Sequence, residues 1–116
     1  MTYSLLHLSW MLHIPVEPNS RPIEELLAEC NDVERYAYVY HEPWGMRPHF
    51  HLYLKLSTLA TASYIKKHFG ALLAYPGETE GNAIRYLLED SDPGDVKANF
   101  SSGKYGIKKM HIESRR

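Results

Sequence analysis

The stretch PHFHLYLKL, residues 48–56, alternates between apolar and polar side chains and is the clearest strand signal in the chain. One set of alternate positions is apolar: Phe50, Leu52, Leu54 and Leu56. The other set consists of His49, His51, Tyr53 and Lys55. A period of two predicts a strand with its apolar face toward a core. Both imidazoles therefore point to the outer side of the predicted sheet.

The preceding stretch VERYAYVYHE, residues 33–42, predicts the neighbouring strand of a hairpin. Its small apolar residues are expected to face inward: Val33, Ala37 and Val39. This orientation puts a row of tyrosines on the outer face: Tyr36, Tyr38 and Tyr40. If residues 43–48 form the hairpin loop, Glu42 lies opposite His49 and Tyr40 opposite His51.

Turn and helix signals divide the rest of the chain into short elements. They predict a strand over residues 5–14, helices over 23–30, 58–69 and 83–90, a short strand over 71–75 and a hairpin over 96–112. Thr58 and Asn82 are the expected N-caps, and Ser102 and Gly103 the expected turn. The order predicts an α+β fold: a small antiparallel sheet of about five strands, helices on one face and the other face open.

Size and composition limit the classes of protein to consider. A chain of 116 residues is expected to form one domain, residues 1–116. Its 13 basic and 14 acidic residues argue against a protein that coats nucleic acid non-specifically. No apolar run is long enough to span a membrane, and the start MTYSLLHLSW lacks the features of a signal peptide. We therefore expect a cytoplasmic protein without a membrane partner, in which the lone Cys30 is a small buried hydrophobe.

The histidines of the central strand suggest a metal site. His49, His51 and a carboxylate from Glu42 would make three ligands and leave open positions for water or substrate. Mixed nitrogen and oxygen ligands suit Mn²⁺, Mg²⁺ or a transition ion such as Zn²⁺. His41 becomes the third ligand instead if the hairpin register shifts by one residue. The competing interpretation is a solvated polar face.

The segment YVYHEPWGMRPHFHLYLKL resembles the second motif of the HUH endonucleases, in particular the Rep proteins that initiate rolling-circle replication in small plasmids and viruses. In this family a histidine, a bulky hydrophobe and a histidine lie on a central strand, and here they are His49, Phe50 and His51. LSWMLHIP is similar in position to the first motif. NAIRYLLEDSDPG resembles the third motif, with Tyr86 in the place of the nucleophile. Glu89 stands where many viral members have a lysine. This difference concerns which branch of the family the chain resembles, more than whether it resembles the family.

The resemblance implies a ferredoxin-like or RRM-like Rep topology with an active site on the open face. It implies Mn²⁺ or Mg²⁺ as cofactor and the nicking of single-stranded DNA through a 5′-phosphotyrosine, at a DNA hairpin in a replication origin. Host replication proteins and a second copy of the chain are the other expected partners. The chain has no phosphate-binding glycine loop, so we expect no helicase activity in it.

The residue roles that follow leave alternatives open. Tyr64 and Tyr105 each precede a lysine by three positions and are rival nucleophiles, although Tyr64 follows His51 closely on the next element. The predicted DNA contacts are Tyr36, Tyr38, Tyr40, Lys55 and Arg85, with bases stacked on the tyrosines. His7 and His13 are expected to face outward without binding metal, and His68 and His111 to lie on the surface. The rival functions are a single-tyrosine HUH transposase and a non-catalytic, RRM-like binder of single strands.

Overall fold

A computed structural model describes residues 6–42, 45, 47–77, 79–89 and 95–100, together with the backbone of 111–112. The described residues form β1 (His7–Pro15), α1 (Ile23–Glu29), β2 (Val33–His41), β3 (His49–Ala60), α2 (Ala62–Phe69), β4 (Leu73–Pro76), α3 (Glu80–Leu87), β5 (Lys97–Ala98) and β6 (His111–Ile112). This order and the α+β class confirm the prediction. None of these described helices has the length and apolar character needed to cross a membrane.

The strands form one sheet in the order β4-β1-β3-β2-β5-β6. The first five strands in this order are antiparallel to their neighbours. From β1 to β4 the chain follows the βαββαβ order of a ferredoxin-like unit, as predicted. The predicted final hairpin is wrong, because β5 and β6 are parallel. Residues 99–110 separate them, a length that permits a crossover, and the expected turn at Ser102 and Gly103 lies outside the described residues.

The main core lies between the sheet and the helices α1 and α2. Five even-numbered residues in the middle of β1 and β3 are fully buried there, as the alternation predicted: Trp10, Leu12, Leu52, Leu54 and Leu56. Toward the strand ends the burial is incomplete, since Leu8 is 36% exposed and Phe50 is partly buried. Leu27 of α1 and Ile65 and Phe69 of α2 pack against them. Cys30 is buried in the same cluster, which confirms its prediction as a small core residue. These contacts bury the apolar stripes of two amphipathic helices.

A second, smaller core covers part of the opposite face. Ala83, Ile84 and Leu87 form the buried stripe of α3, and they pack on Ala37 and Val39 of β2. The helices were expected on one face only, whereas α3 lies on the other. The reason is that α3 also has an apolar stripe, which must be covered by apolar surface. Both faces of β2 are therefore buried.

The predicted orientation of β2 is wrong for this reason. Tyr36 and Tyr38 are buried in the main core, at 3% and 2% exposure, whereas Ala37 and Val39 face α3. Tyrosine can be buried when its hydroxyl finds a polar partner, and the Tyr38 hydroxyl donates a hydrogen bond of 3.0 Å to Glu24 Oε1. Alternation alone does not tell which of two buried faces is which.

Two predicted helix caps are displaced. Because β3 continues to Ala60, Thr61 rather than Thr58 caps α2, and its Oγ1 accepts a hydrogen bond from the Tyr64 amide at 3.2 Å. Thr79 rather than Asn82 caps α3 and accepts from the Asn82 amide at 3.3 Å. Threonine and asparagine are both good N-caps, so Thr58 and Thr61 are alternatives for α2, and Thr79 and Asn82 are alternatives for α3. The Thr79 cap sets the first residue of α3, the helix that carries Tyr86 over the sheet.

Candidate metal centre

Three neighbouring strands bring histidines together on the α3 side of the sheet. β3 lies between β1 and β2, and in these two ladders His51 is paired with His13 and with Val39. His49 is paired with His41. Because paired residues of adjacent strands point to the same face, all four histidines share one side of the sheet.

His13, His49 and His51 are close enough to bind one metal ion. One potential ligand atom from each lies within 4.8 Å of the others. Nε2 of His49 and Nε2 of His51 are 3.0 Å apart. Two nitrogens that each lie about 2.1 Å from a shared ion, at an angle of about 90–110°, are separated by about 3.0–3.4 Å. The geometry of this pair therefore fits shared coordination of an ion.

The hydrogen bonds of His49 prepare it as a ligand. Its Nδ1 lies 2.9 Å from the carbonyl oxygen of Arg47. A carbonyl can only accept, so Nδ1 carries the proton, and the lone pair of Nε2 faces His51 Nε2. A metal-binding histidine commonly donates its second nitrogen to such a group, which fixes its tautomer and orientation. The backbone just before β3 therefore orients the first histidine of that strand as a potential ligand.

Burial keeps His51 and His13 neutral. His51 is 8% exposed, and burial, followed by the charges of His13, His49 and His41, lowers its pKa to about 3. Burial and the neighbouring His49 and His41 also lower the pKa of His13. Within the described part of the chain, His51 Nδ1 has no hydrogen-bonding partner. Neutral imidazoles are the form that binds metal, so the lowered pKa values of His51 and His13 favour the metal-binding form of these two residues at neutral pH.

The predicted third ligand, Glu42, lies on the wrong face. The register pairs His41, not Glu42, with His49, one residue away from the prediction. Glu42 instead hydrogen-bonds to Tyr40, which is paired with Phe50 of the main-core face. His41 is on the histidine side, with its ring 5.2 Å from that of His51 and 5.5 Å from that of His49. A shift of one residue exchanges the faces of the whole strand, and burial of Val39 under α3 selects this register.

Tyr86, the predicted nucleophile, is beside the histidines. Its hydroxyl oxygen lies 3.5 Å from His13 Nε2, and its ring is 5.2 Å from the ring of His51. It is 43% exposed, in agreement with its predicted position away from the buried stripe of α3. Tyr64 is on α2, which packs on the opposite face, while Tyr105 lies outside the described residues. Among the described candidates, only Tyr86 is near the cluster.

The predicted DNA contacts are divided between the two faces. Tyr36 and Tyr38 are buried in the main core and cannot stack on bases. Tyr40 is 45% exposed, but it is on the side away from the histidines and its ring packs against Phe50. Lys55 belongs to the histidine face of β3, and Arg85 lines a cleft beside Tyr86. The row of three tyrosines is therefore not a nucleic-acid platform.

His13 is the site residue that the sequence prediction missed. Its outward orientation on β1 was predicted, but its distance from His51 depends on the order of strands and on their register. The signal was present in the alternation of both strands, since His13 and His51 each belong to the polar set of their strand. A correct pairing of β1 with β3 in the predicted sheet would have placed His13 beside His51.

Known proteins do not identify the site. The chain matches no model of a known protein family, and a search of curated proteins finds no significant match. The chemistry of the site must therefore be inferred from its residues.

Proposed function

We propose that this chain is a metal-dependent endonuclease of the HUH type, which nicks and rejoins single-stranded DNA through Tyr86. The observation that carries the proposal is the convergence of a three-histidine cluster and an exposed tyrosine, whose hydroxyl oxygen is 3.5 Å from His13 Nε2. The spacing of His49 and His51 on one strand and the position of Tyr86 on a later helix match the motifs that the sequence resembles.

The proposed cofactor is Mn²⁺. His13, His49 and His51 would hold it, and it would polarise the scissile phosphate and offset the negative charge of the transition state. All three donors are imidazole nitrogens, which suit transition ions, whereas Mg²⁺ prefers oxygen ligands. Of the two ions that the resemblance implies, Mn²⁺ therefore suits this donor set better than Mg²⁺.

In the proposed reaction the Tyr86 oxygen attacks the scissile phosphorus. The bond from phosphorus to the 3′ oxygen breaks, a 5′-phosphotyrosine forms and a proton completes the released 3′-hydroxyl. A phenol has a pKa near 10, so nearby positive charge is needed to favour its deprotonation. A divalent ion held at the histidines and the guanidinium of Arg85, the residue before Tyr86 in the chain, would supply that charge. Reversal of the step rejoins the strand.

The biological setting of the proposal is the initiation of plasmid or viral DNA replication in the cytoplasm of the host cell. The substrate would be a DNA hairpin at an origin, and host replication proteins would extend the free 3′ end. A second copy of the chain would supply a second Tyr86 for closure of the product. Burial of Tyr36 and Tyr38 weighs against the rival proposal of a binding module that stacks bases on these tyrosines.

The proposal is tested by mass spectrometry of the protein after incubation with Mn²⁺ and a pool of single-stranded hairpin oligonucleotides. We expect a nucleotide adduct on Tyr86 that is absent from Tyr86→Phe, from His49→Ala and from samples with EDTA. Tyr64→Phe is the matched control, because Tyr64 is exposed, precedes a lysine by three positions and lies on the opposite side. An adduct that survives Tyr86→Phe, or one that forms equally well in EDTA, would overturn the assignment.

A further inference from the structure

A cleft of about 670 Å³ opens next to Tyr86 on the α3 side of the sheet. The residues that line it come from β1, β4, α3 and the residues just after α3: Met11, Tyr75, Asn82, Arg85, Tyr86 and Glu89. Its volume is within the range of sites that hold small organic ligands. None of the described lining residues is a histidine, so metal binding at the histidines does not explain them.

The walls of the cleft suit a flat aromatic ligand. Tyr75 of edge strand β4 is 50% exposed and Tyr86 is 43% exposed, so both rings are open to a ligand in the cleft. Met11 is paired with Tyr75 and is 4% exposed, so it adds a polarisable apolar surface between the strands. Exposed aromatic rings of this kind stack on nucleobases of any sequence.

The polar groups of the cleft suit the edge of a base. Arg85 Nη1 donates a hydrogen bond of 3.2 Å to Asn82 Oδ1. With the oxygen in this bond, the amide group of Asn82 has its Nδ2 hydrogens to offer a ligand. The charged residues in the lining, Arg85 and Glu89, have opposite signs. A lining without net charge favours a neutral base over a phosphate.

The cleft adjoins the histidine cluster. A smaller cavity of about 70 Å³ is lined by His41, His51, Tyr86 and Glu89, together with Val39 and Leu87. Tyr86 and Glu89 thus border both spaces. A DNA strand with one phosphate at the histidines would have a neighbouring base within reach of the cleft.

We propose that this cleft binds the base of a nucleotide next to the scissile phosphate, stacked on Tyr75 and hydrogen-bonded by Asn82. The inference rests on the proposed function, because it takes the phosphate at the histidines to belong to single-stranded DNA. It adds a base-binding subsite and makes Tyr75 a residue of substrate binding, separate from the chemistry at Tyr86.

The test compares two labelled single-stranded oligonucleotides of equal length, one of mixed sequence and one abasic, by fluorescence anisotropy in EDTA. We expect the intact chain to bind the mixed sequence at least about fivefold more tightly than the abasic strand. Tyr75→Leu should remove this preference, whereas Tyr75→Phe, which keeps the ring, should retain it. Tyr64→Leu, a change of an equally exposed tyrosine on the opposite side of the sheet, should also retain it.

Equal affinity for both oligonucleotides, or a preference that Tyr75→Leu leaves unchanged, would overturn the proposal. Because no metal is present, the result does not depend on nicking. A base preference without an adduct on Tyr86 would support the base-binding subsite and overturn the proposed nuclease. An adduct on Tyr86 without a base preference would support the nuclease and overturn the subsite.

Discussion

A single step in the register of β2 decides whether Glu42 or His41 faces the histidine cluster. Glu42 and His41 are adjacent in the chain, but they point to opposite faces of the sheet, and His13 reaches the same place from β1. His13 has its ring 4.0 Å from that of His51, while that of His41 is 5.2 Å away. The contacts therefore make His13 the third member of the cluster that could bind a metal ion, and His41 its neighbour.

We predict that His13→Ala weakens Mn²⁺ binding strongly and that Glu42→Gln leaves it unchanged. Loss of a group that only supports a ligand commonly costs about 10–100-fold in metal affinity, so loss of a ligand should cost more than about 100-fold. Isothermal titration calorimetry with Mn²⁺ measures the difference. His7→Ala, at the other end of β1, is the histidine control. A large loss in Glu42→Gln would show that the register of β2 differs from the one described.

The element that completes the site is α3, which carries Tyr86 across the histidine side of the sheet. Its first turn is tied to β2 by an ion pair, in which Arg35 Nη1 lies 2.9 and 2.7 Å from the two oxygens of Glu80. The Arg35 guanidinium also lies 5.0 Å from the centre of the Phe100 ring. The Glu80 side chain is only 13% exposed, so this ion pair is better shielded from water than a surface pair. It helps to set the position of α3 over β2.

We predict that Glu80→Gln lowers the free energy of unfolding by about 1 kcal/mol, because a shielded, charged hydrogen bond becomes a neutral one. Urea unfolding measures this loss, and a double-mutant cycle with Arg35→Gln isolates the energy of the pair. Formation of the Tyr86 adduct should slow more than Mn²⁺ affinity falls, since the histidines are on the strands and Tyr86 is on the helix. Equal losses in both measurements would contradict a role in positioning α3. Arg21→Gln, in a solvent-exposed ion pair of α1, is the control.

For the molecule as a whole, folding buries His51 among the other histidines on the α3 side of the sheet and lowers its pKa. The pKa of His51 is about 3 in the folded chain, below the value of 6.5 for a free histidine. Between these pH values the unfolded chain binds a proton at His51 that the folded chain does not. The stability that depends on neutral His51 is therefore complete above pH 6.5 and decreases as the pH falls toward 3. The lowered pKa of His13 acts in the same direction.

We predict that the free energy of unfolding without metal falls by roughly 1.4 kcal/mol for each pH unit below about 6 because of His51, and that His13 adds to this fall. Urea unfolding in EDTA at several pH values from 7 to 4 measures the slope. His51→Gln should be less stable at pH 7 but have a shallower slope, and His68→Gln, on the other side of the sheet, should keep the original slope. Parallel slopes for the intact chain and His51→Gln would rule out this source of pH dependence.

Much of the architecture could be read from local patterns. The alternation of PHFHLYLKL predicted which residues of β3 enter the main core, and the spacing of apolar residues on α3 predicted that Tyr86 would be exposed. The order of the elements followed from turns and caps that act over a few residues. Local patterns have this power because the periods of strands and helices decide which side chains share a face. His49 and His51 were found in this way.

Which faces of the strands and helices pack together, by contrast, depended on contacts between distant parts of the chain. The orientation of β2 was mispredicted because α3 covers the face that was expected to be open, so both of its faces are buried. That packing selected the register that moves Glu42 away from the site, and the strand order β1-β3-β2 brought His13 next to His51. The alternation of a strand defines two faces but does not say which partner each face packs against. Only burial against a particular partner decides this. The sequence therefore determined which residues are chemically competent, and long-range packing determined which of them meet.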